Sequence, residues 1–275
     1  MKERLDVLLV QKGYFPTREK AKGTIMAGLV FVNGRLFDKP GMSIPVDAEI
    51  FVKGNDCPYV GRGGFKLQKA LDTFALSVQD AVCADIGAST GGFTDCMLQR
   101  GAQKVYAIDV GHGQLDYKLQ IDSRVVNLEK TNIRLFDPNT ITPCNFISID
   151  VSFISLKLVF PVAVRMLEKS SESHLVCLVK PQFEAGKEQV GKHGVVADPS
   201  VHREVIQNVI EYAKDNGMSP VGLTYSPITG GKEGNIEYLL HMVLSSEHLH
   251  GNENDGIVSD FTIDSIVSEA HNTLK

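Results

Sequence analysis

The sequence predicts an α/β protein in which a mainly parallel, doubly wound sheet follows a small α+β domain. Three observations carry that prediction. From Ala81 onward, short apolar runs alternate with helix-period segments, the pattern of parallel strands joined by crossover helices. A glycine turn, Gly87 to Gly92, separates the first of those runs from the first of those helices. Residues 1–53 lack the alternation and carry two helical stretches followed by short strand-like runs.

At 275 residues the chain can hold one large domain and a small one. Its 43% hydrophobic and 22% charged content is ordinary for a soluble globular protein. The net charge of −5 hides an asymmetry. Residues 1–66 carry 11 Lys+Arg against 7 Asp+Glu, a net of +4, and the remainder carries −9. A basic head on an acidic body points to an anionic partner for the head, the alternative being a solvated basic face. The expected division is a head at 1–54, a linker at 55–60 with Pro58 restricting its path, a body at 61–250, and a polar hinge with a C-terminal helix at 251–275.

In the head, Leu5, Leu8 and Leu9 share one helical face that KGYFPTR ends. Thr17 suits an N-cap, with Lys20 where a capping box would place Glu, and REKAKGTIMAG continues as a second helix to Gly28. LVFVNG, RLFDKPG and AEIFVKG read as strands, with hairpin chemistry at Asn33-Gly34. In the body, GRGGFKLQKAL enters a helix running to about Phe74. Strands and helices then alternate at 81–86, 93–100, 104–109, around 113–121, 124–128, 145–150, 156–168, 174–180, 201–216 and 220–225. Residues 236–244 close the domain as a strand or a helix, and periodicity does not decide which. In the tail, Ile263, Ile266, Val267, Ala270 and Leu274 form one stripe that should dock on the body.

Composition excludes several classes. The five cysteines form no C-x-x-C pair, so neither a disulfide framework nor a zinc site is expected; Cys83 and Cys177 fall in apolar strand patterns and should be core residues. The start, MKERLDVLLVQKG, has too short an apolar core for a signal peptide. The most apolar later segment, LKLVFPVAVRML, spans about 12 residues and contains Lys157 and Arg165, against the roughly 18 needed to cross a bilayer. A cytoplasmic protein is expected. His112, in GHG, has no metal-ligand partner at suitable spacing and reads as structural.

Ligands of open parallel sheets bind outside the carboxyl ends of the strands. Four polar residues stand at or near such ends: Asp85, Asp109, Asp150 and Lys180. Asp85 precedes the glycine turn, and Asp109 follows it 24 residues later. That order, with three residues between Gly87 and Gly91, breaks the G-x-G-x-x-G dinucleotide pattern and argues against an NAD enzyme. D-x-G-x-x-x-G-G instead resembles the first motif of S-adenosylmethionine (SAM)-dependent methyltransferases. The resemblance implies SAM as cofactor, held by Asp85, Gly87, Ala88, Ser89, Thr90, Gly91 and Gly92. Ser89, Thr90 and the Gly91–Gly92 amides face the methionine end, Asp109 the ribose, and Thr131 and Asn132 the adenine.

Asp150 is followed by VSFIS rather than by an N/D-P-P-Y-type motif, which argues against base N-methylation. A lysine at the end of the next strand points to a hydroxyl acceptor. Ribose 2′-OH is a weak acid, so its methylation gains from a base, and an amine serves only when its pKa falls well below about 10.4. Neighbouring cations and desolvation lower it; paired carboxylates orient the amine. Lys66 in GRGGFKL, Asp150 in IDVSFIS, Lys180 in LVKPQFE and Glu237 in GNIEYLL match the K-D-K-E tetrad of FtsJ-like ribose 2′-O-methyltransferases. Glu184 and Glu233 remain alternatives to Glu237.

The head, with AGLVFVNGRLFDKPGMSI, resembles an S4 RNA-binding domain. Together with RGGFKL and SPITGGKEGNIEYL it is similar, over nearly the whole chain, to the TlyA family, historically labelled hemolysin A. The resemblance implies SAM-dependent 2′-O-methylation of cytidine in ribosomal RNA, with Lys180 as general base and Lys66, Asp150 and Glu237 positioning it and the ribose. Ribosomal RNA or ribosomal subunits would be the partner, with Arg4, Arg18, Lys20, Lys22, Arg35 and Arg62 as candidate RNA contacts. Residues 183–199, with Lys187, Lys192 and His193, read as a mobile loop over the RNA. Two competing readings are a ribosome-assembly factor that binds without turnover and a membrane-active cytolysin, for which no sufficiently long apolar segment exists.

Overall fold

The computed structural model describes the chain apart from residues 1, 13, 16, 33–34, 47, 49, 54–57, 231–233, 246–257 and 275. The Asn33-Gly34 turn, residues 55–57 of the 55–60 linker and the 251–256 hinge therefore lie outside the described residues. The chain forms two compact units, Met1–Pro58 and Tyr59–Lys275.

In the smaller unit, α1 (Leu5–Gln11) and α2 (Arg18–Met26) precede most of the strands. Thr17 caps α2 by accepting the Lys20 N–H at 3.3 Å. Strand β2 (Val30–Val32) pairs antiparallel with β3 (Arg35–Phe37) and β5 (Ile50–Val52). Val32 stands opposite Arg35, so only two residues join them, the spacing of a tight hairpin. A second ribbon, β1 (Lys2–Arg4) against β4 (Ser43–Pro45), had too few apolar residues to show in the sequence. Leu5, Leu8 and Leu9 pack with Ala21, Ile25, Val30 and Ile50 as one core.

The larger unit is a seven-stranded sheet in the order β11-β12-β10-β9-β6-β7-β8. The strands are β6 (Val82–Ile86), β7 (Lys104–Ile108), β8 (Val125–Leu128), β9 (Phe146–Ile149), β10 (His174–Val179), β11 (Met218–Tyr225) and β12 (Tyr238–Leu244). The run from β10 to β8 is parallel, and β12 is antiparallel to both neighbours, which settles residues 236–244 as a strand. Side chains alternate faces along each strand. Leu175, Cys177 and Val179 enter one core while Val176 and Leu178 enter the other. Helices α3 (Gly63–Thr73), α4 (Gly92–Gln99) and α5 (Tyr117–Gln120) cover the second core. Helices α6 (Phe160–Met166), α8 (Pro199–Asp215) and α9 (Asp260–Leu274) cover the first, and the four-residue α7 (Pro181–Glu184) follows β10. The tail stripe docks as expected, with Ile263, Val267 and Ala270 buried against the body. Cys83 and Cys177 are fully buried, and burial pushes both thiols up.

Two expected helices are shorter. The 156–168 segment splits into a 3-10 turn, Leu156–Leu158, and α6, because Pro161 has no N–H to extend a helix through it and fits only a first turn. The 113–121 segment is helical only over α5. The N–H groups of Gly113, Gln114 and Leu115 are taken by the Glu129 carboxylate instead of lying in a helix.

Candidate active site

The glycine loop after β6 is built by close approach. Gly87 has φ +90°, and a Cβ there would strike the Asp150 carbonyl; Gly91 has φ +95°, and a Cβ there would strike Leu115 and Leu119. Asp85 sits beneath this loop, fully buried, and does not face the cavities described below. Its Oδ2 accepts the Thr94 N–H at 2.9 Å and the Thr94 hydroxyl at 2.7 Å, and its Oδ1 accepts the Ser148 hydroxyl at 3.2 Å. It thus ties β6 to α4 and β9. Burial pushes its carboxyl up to about 7 despite the Thr94 bonds.

Asp109 follows β7. Its Oδ2 accepts the Ser89 N–H at 2.8 Å and its Oδ1 the Gly111 N–H at 2.6 Å, linking the first two strand ends. A cavity of about 560 Å³ opens there, lined by Gly87, Ser89, Asp109, Gln114, Thr131 and Asn132, with Asp150 to Ile154 on its far wall. A second cavity of about 250 Å³ adjoins it, lined by Arg62, Lys66, Ala88, Ser89, Thr90 and Gly92. Gly87, Ser89 and Asp150 belong to both. Of the residues expected around a nucleoside ligand, all but Asp85 and Gly91 line one of the two spaces.

Asp150, past β9, is the hinge of a charged chain. Its Oδ1 lies 2.5 Å from Lys180 Nζ and its Oδ2 4.0 Å from Lys66 Nζ. Lys66 Nζ in turn donates to Glu237 Oε2 at 2.6 Å. Lys66 comes from α3, Lys180 from the residue after β10 and Glu237 from the residue before β12, so three strand ends and one helix converge. Lys66, Lys180 and Glu237 are buried, whereas Asp150 keeps 19% of its side chain exposed and opens on both cavities. The two cations and two carboxylates balance, as buried charges must. Glu184 is elsewhere: it accepts the Ser155 hydroxyl at 2.7 Å and the Leu156 N–H at 2.8 Å, and burial pushes its carboxyl up. Glu233 lies outside the described residues.

Sequence reasoning passed over three neighbours. Lys180 Nζ donates to Ser152 Oγ at 3.0 Å, and Gln182 Nε2 donates to Glu237 Oε1 at 3.4 Å. Phe153 has φ +63° and is 90% exposed at the cavity mouth, its ring 4.8 Å from that of Phe183. A bulky residue held in the left-handed region is uncommon, and its motif, VSFIS, was the one available signal. The 183–199 segment is tied at its C-terminal end. Asn235 Nδ2 donates to the Gly194 carbonyl at 2.9 Å, and His202 Nε2 lies 2.8 Å from the Val196 carbonyl. His112 lies on the surface, 3.4 Å from Glu129. Among the described residues no cluster of three metal-ligating side chains occurs.

In the smaller unit, Arg4 and Arg18 converge on a residue the sequence reading did not single out. Asp6, fully buried, takes Arg4 Nε at 3.0 Å and Arg18 Nη2 at 2.8 Å. Burial pushes the Asp6 carboxyl up, but the hydrogen bonds and charges of both guanidinium groups outweigh it and hold it at about 2. Each arginine side chain stays about half exposed, at 49% and 47%. Lys20 and Arg35 are exposed and Lys22 half-buried, while Arg62 belongs to the larger unit and lines its smaller cavity.

Comparison with known proteins bears on both units. Residues 59–244 match the FtsJ-like methyltransferase family and residues 3–50 the S4 domain. The chain is 51% identical to the Bacillus subtilis (strain 168) protein named "Putative rRNA methyltransferase YqxC", across 100% of this chain and 96% of that one. It is 42% identical to the 16S/23S rRNA (cytidine-2′-O)-methyltransferase TlyA of Mycobacterium tuberculosis, over 86% of this chain and 88% of that one. A solved structure, "Putative hemolysin from Streptococcus thermophilus", superposes with a TM-score of 0.76 at 48% identity, covering 98% and 96% of the two chains.

Proposed function

The chain belongs to the FtsJ-like methyltransferase family, and we propose that it methylates the ribose 2′-hydroxyl of a cytidine in ribosomal RNA, with SAM as donor. The observation that carries the reading is the Lys180–Asp150–Lys66–Glu237 chain, whose partly exposed member, Asp150, opens on both cavities. The relatives' names support the substrate; the geometry supports a hydroxyl acceptor.

The larger cavity suits a nucleoside donor. Its volume of about 560 Å³ is that of a small-molecule site. Asp109 offers carboxylate lone pairs to a ribose diol and Ile133 an apolar wall to a base. When bound, the donor supplies a methyl group on a sulfonium centre. Lys180, held by Asp150 and Ser152, first gives up one ammonium proton to solvent, and the neutral amine then accepts the 2′-hydroxyl proton as the oxygen forms its bond to the methyl carbon. The donor would release its methyl group with the carbon–sulfur electron pair kept on sulfur, S-adenosylhomocysteine being the leaving group. Lys66 and Glu237 fix Asp150 from the other side, so the amine is pre-positioned rather than reorganised during transfer. The target nucleotide must be splayed out of its helix, and Phe153 offers an exposed ring for its base. The head supplies arginines and lysines for phosphate contacts, which position without reading sequence.

The test incubates purified protein with radiolabelled SAM and undermethylated ribosomal subunits, alongside Lys180→Ala. Expected is 2′-O-methylcytidine in the nuclease digest, absent with the variant. Label in a base or in protein refutes the acceptor; donor binding without any transfer favours the assembly-factor reading. No helix among the described residues is long and apolar enough to cross a membrane.

A further inference from the structure

Glu129, just past β8, has no part in the chemistry described above. Its carboxylate accepts three successive backbone N–H groups, from Gly113 at 2.8 Å, Gln114 at 2.8 Å and Leu115 at 3.2 Å. The segment it grips is a wall of the larger cavity. Gln114 lines that cavity, and Leu115 and Leu119 fill the space beside Gly91. The Asp116 N–H donates to the Thr90 carbonyl at 3.1 Å, which joins this wall to the glycine loop. Immediately after Glu129, the Lys130 N–H donates to the Gly111 carbonyl at 2.8 Å and the Thr131 N–H to the Asp109 carbonyl at 2.9 Å. One side chain therefore connects the end of β8 to the loop after β7 and, through Asp116, to the loop after β6. Gly113, at φ +66°, lets the chain curl its amides around a single carboxylate.

We propose that Glu129 is a positioning residue for the methyl donor, fixing residues 111–116 so that Asp109 and Gln114 meet it in a preformed cavity. The proposal rests on the donor reading above. Among the described residues no other ionisable side chain bonds these three amides, so without Glu129 they would turn to water and the wall would have to be ordered by the ligand itself. That ordering appears as weaker donor binding rather than as slower chemistry.

The test is calorimetric binding of S-adenosylhomocysteine together with steady-state kinetics for Glu129→Ala and Glu129→Gln. Alanine should weaken binding and raise the donor KM by on the order of tenfold or more, the scale of lost charge-assisted hydrogen bonds. kcat at saturating donor should stay within roughly threefold. Glutamine keeps one acceptor oxygen without the charge and should fall between, and it carries the test if the alanine variant fails to fold. Wild-type affinity in both variants overturns the proposal, as does a loss of kcat with KM unchanged. Failure of the wild-type protein to bind S-adenosylhomocysteine overturns the donor reading and this proposal with it.

Discussion

Lys66 and Glu237 form an ion pair at 2.6 Å with 10% and 3% of their side chains exposed, so solvent screens it little. Removing one partner of a buried pair costs about 3–5 kcal/mol because a charge stays behind unpaired, whereas replacing both with apolar groups is often near neutral. The surroundings rank the single variants. Lys66→Met leaves Glu237 with only the Gln182 amide at 3.4 Å among its described bonding partners, whereas Glu237→Leu leaves Lys66 with Asp150 at 4.0 Å. Lys66→Met should therefore lie near the upper end, about 5 kcal/mol, and Glu237→Leu near the lower, about 3 kcal/mol. The double variant should lose about 1 kcal/mol, all three being catalytically dead. For a unit of this size each kcal/mol moves the melting point by roughly 2–4 °C. Calorimetric unfolding of the four proteins gives the coupling directly. Losses that add in the double variant would refute the argument that an unpaired buried charge, rather than a lost attraction, sets the cost.

Gly87→Ala combines a left-handed backbone with a Cβ against the Asp150 carbonyl; it should cost roughly 1–3 kcal/mol and displace Asp150, read as a fall in Tm with a larger fall in kcat. Phe153→Ala should lower kcat/KM for RNA, measured at saturating donor, roughly 5- to 100-fold, the range of one base–aromatic stack; an unchanged kcat/KM removes the ring from recognition. His241 packs against Phe74 and lies 3.1 Å from His174; burial, then the neighbouring histidine, lowers it to about 4. Its folded value lies below the unfolded one near 6.5, so its stabilisation is complete above that pH and fades as pH falls toward 4. By linkage it should lose about 2 kcal/mol at pH 5, visible as a lower Tm that His241→Gln flattens.

How far the sequence spoke depended on whether a feature was local. Strand alternation and the Ile263–Ala270 stripe need only the period of one element, and both are seen. The glycine loop was equally legible, because a bend at φ +90° leaves a composition signal. Lys66, Asp150, Lys180 and Glu237 are far apart in the chain; parallel connectivity brings Asp150 and Lys180 to one edge at the ends of β9 and β10, and the antiparallel β12 starts at that edge with Glu237. Contacts made by carboxylates across loops were illegible. The Glu129 bonds to Gly113–Leu115 and the Asp6 bonds to Arg4 and Arg18 follow no period, and the first of them shortened a helix that periodicity had extended. Asp85 shows the same limit differently. Its position at a strand end suggested a ligand contact, but the carboxyl turns inward to Thr94, which only the packing of α4 decides.

The most direct test of the central claim is to locate the transferred methyl group. Ribosomal RNA labelled by the protein from methyl-labelled SAM would be hydrolysed with alkali, which cleaves every linkage except one next to a 2′-O-methyl. The account predicts that the label is recovered in an alkali-resistant dinucleotide with cytidine at its 5′ side, and that Lys180→Ala yields none. Label recovered in a mononucleotide would place the methyl on a base and contradict the account.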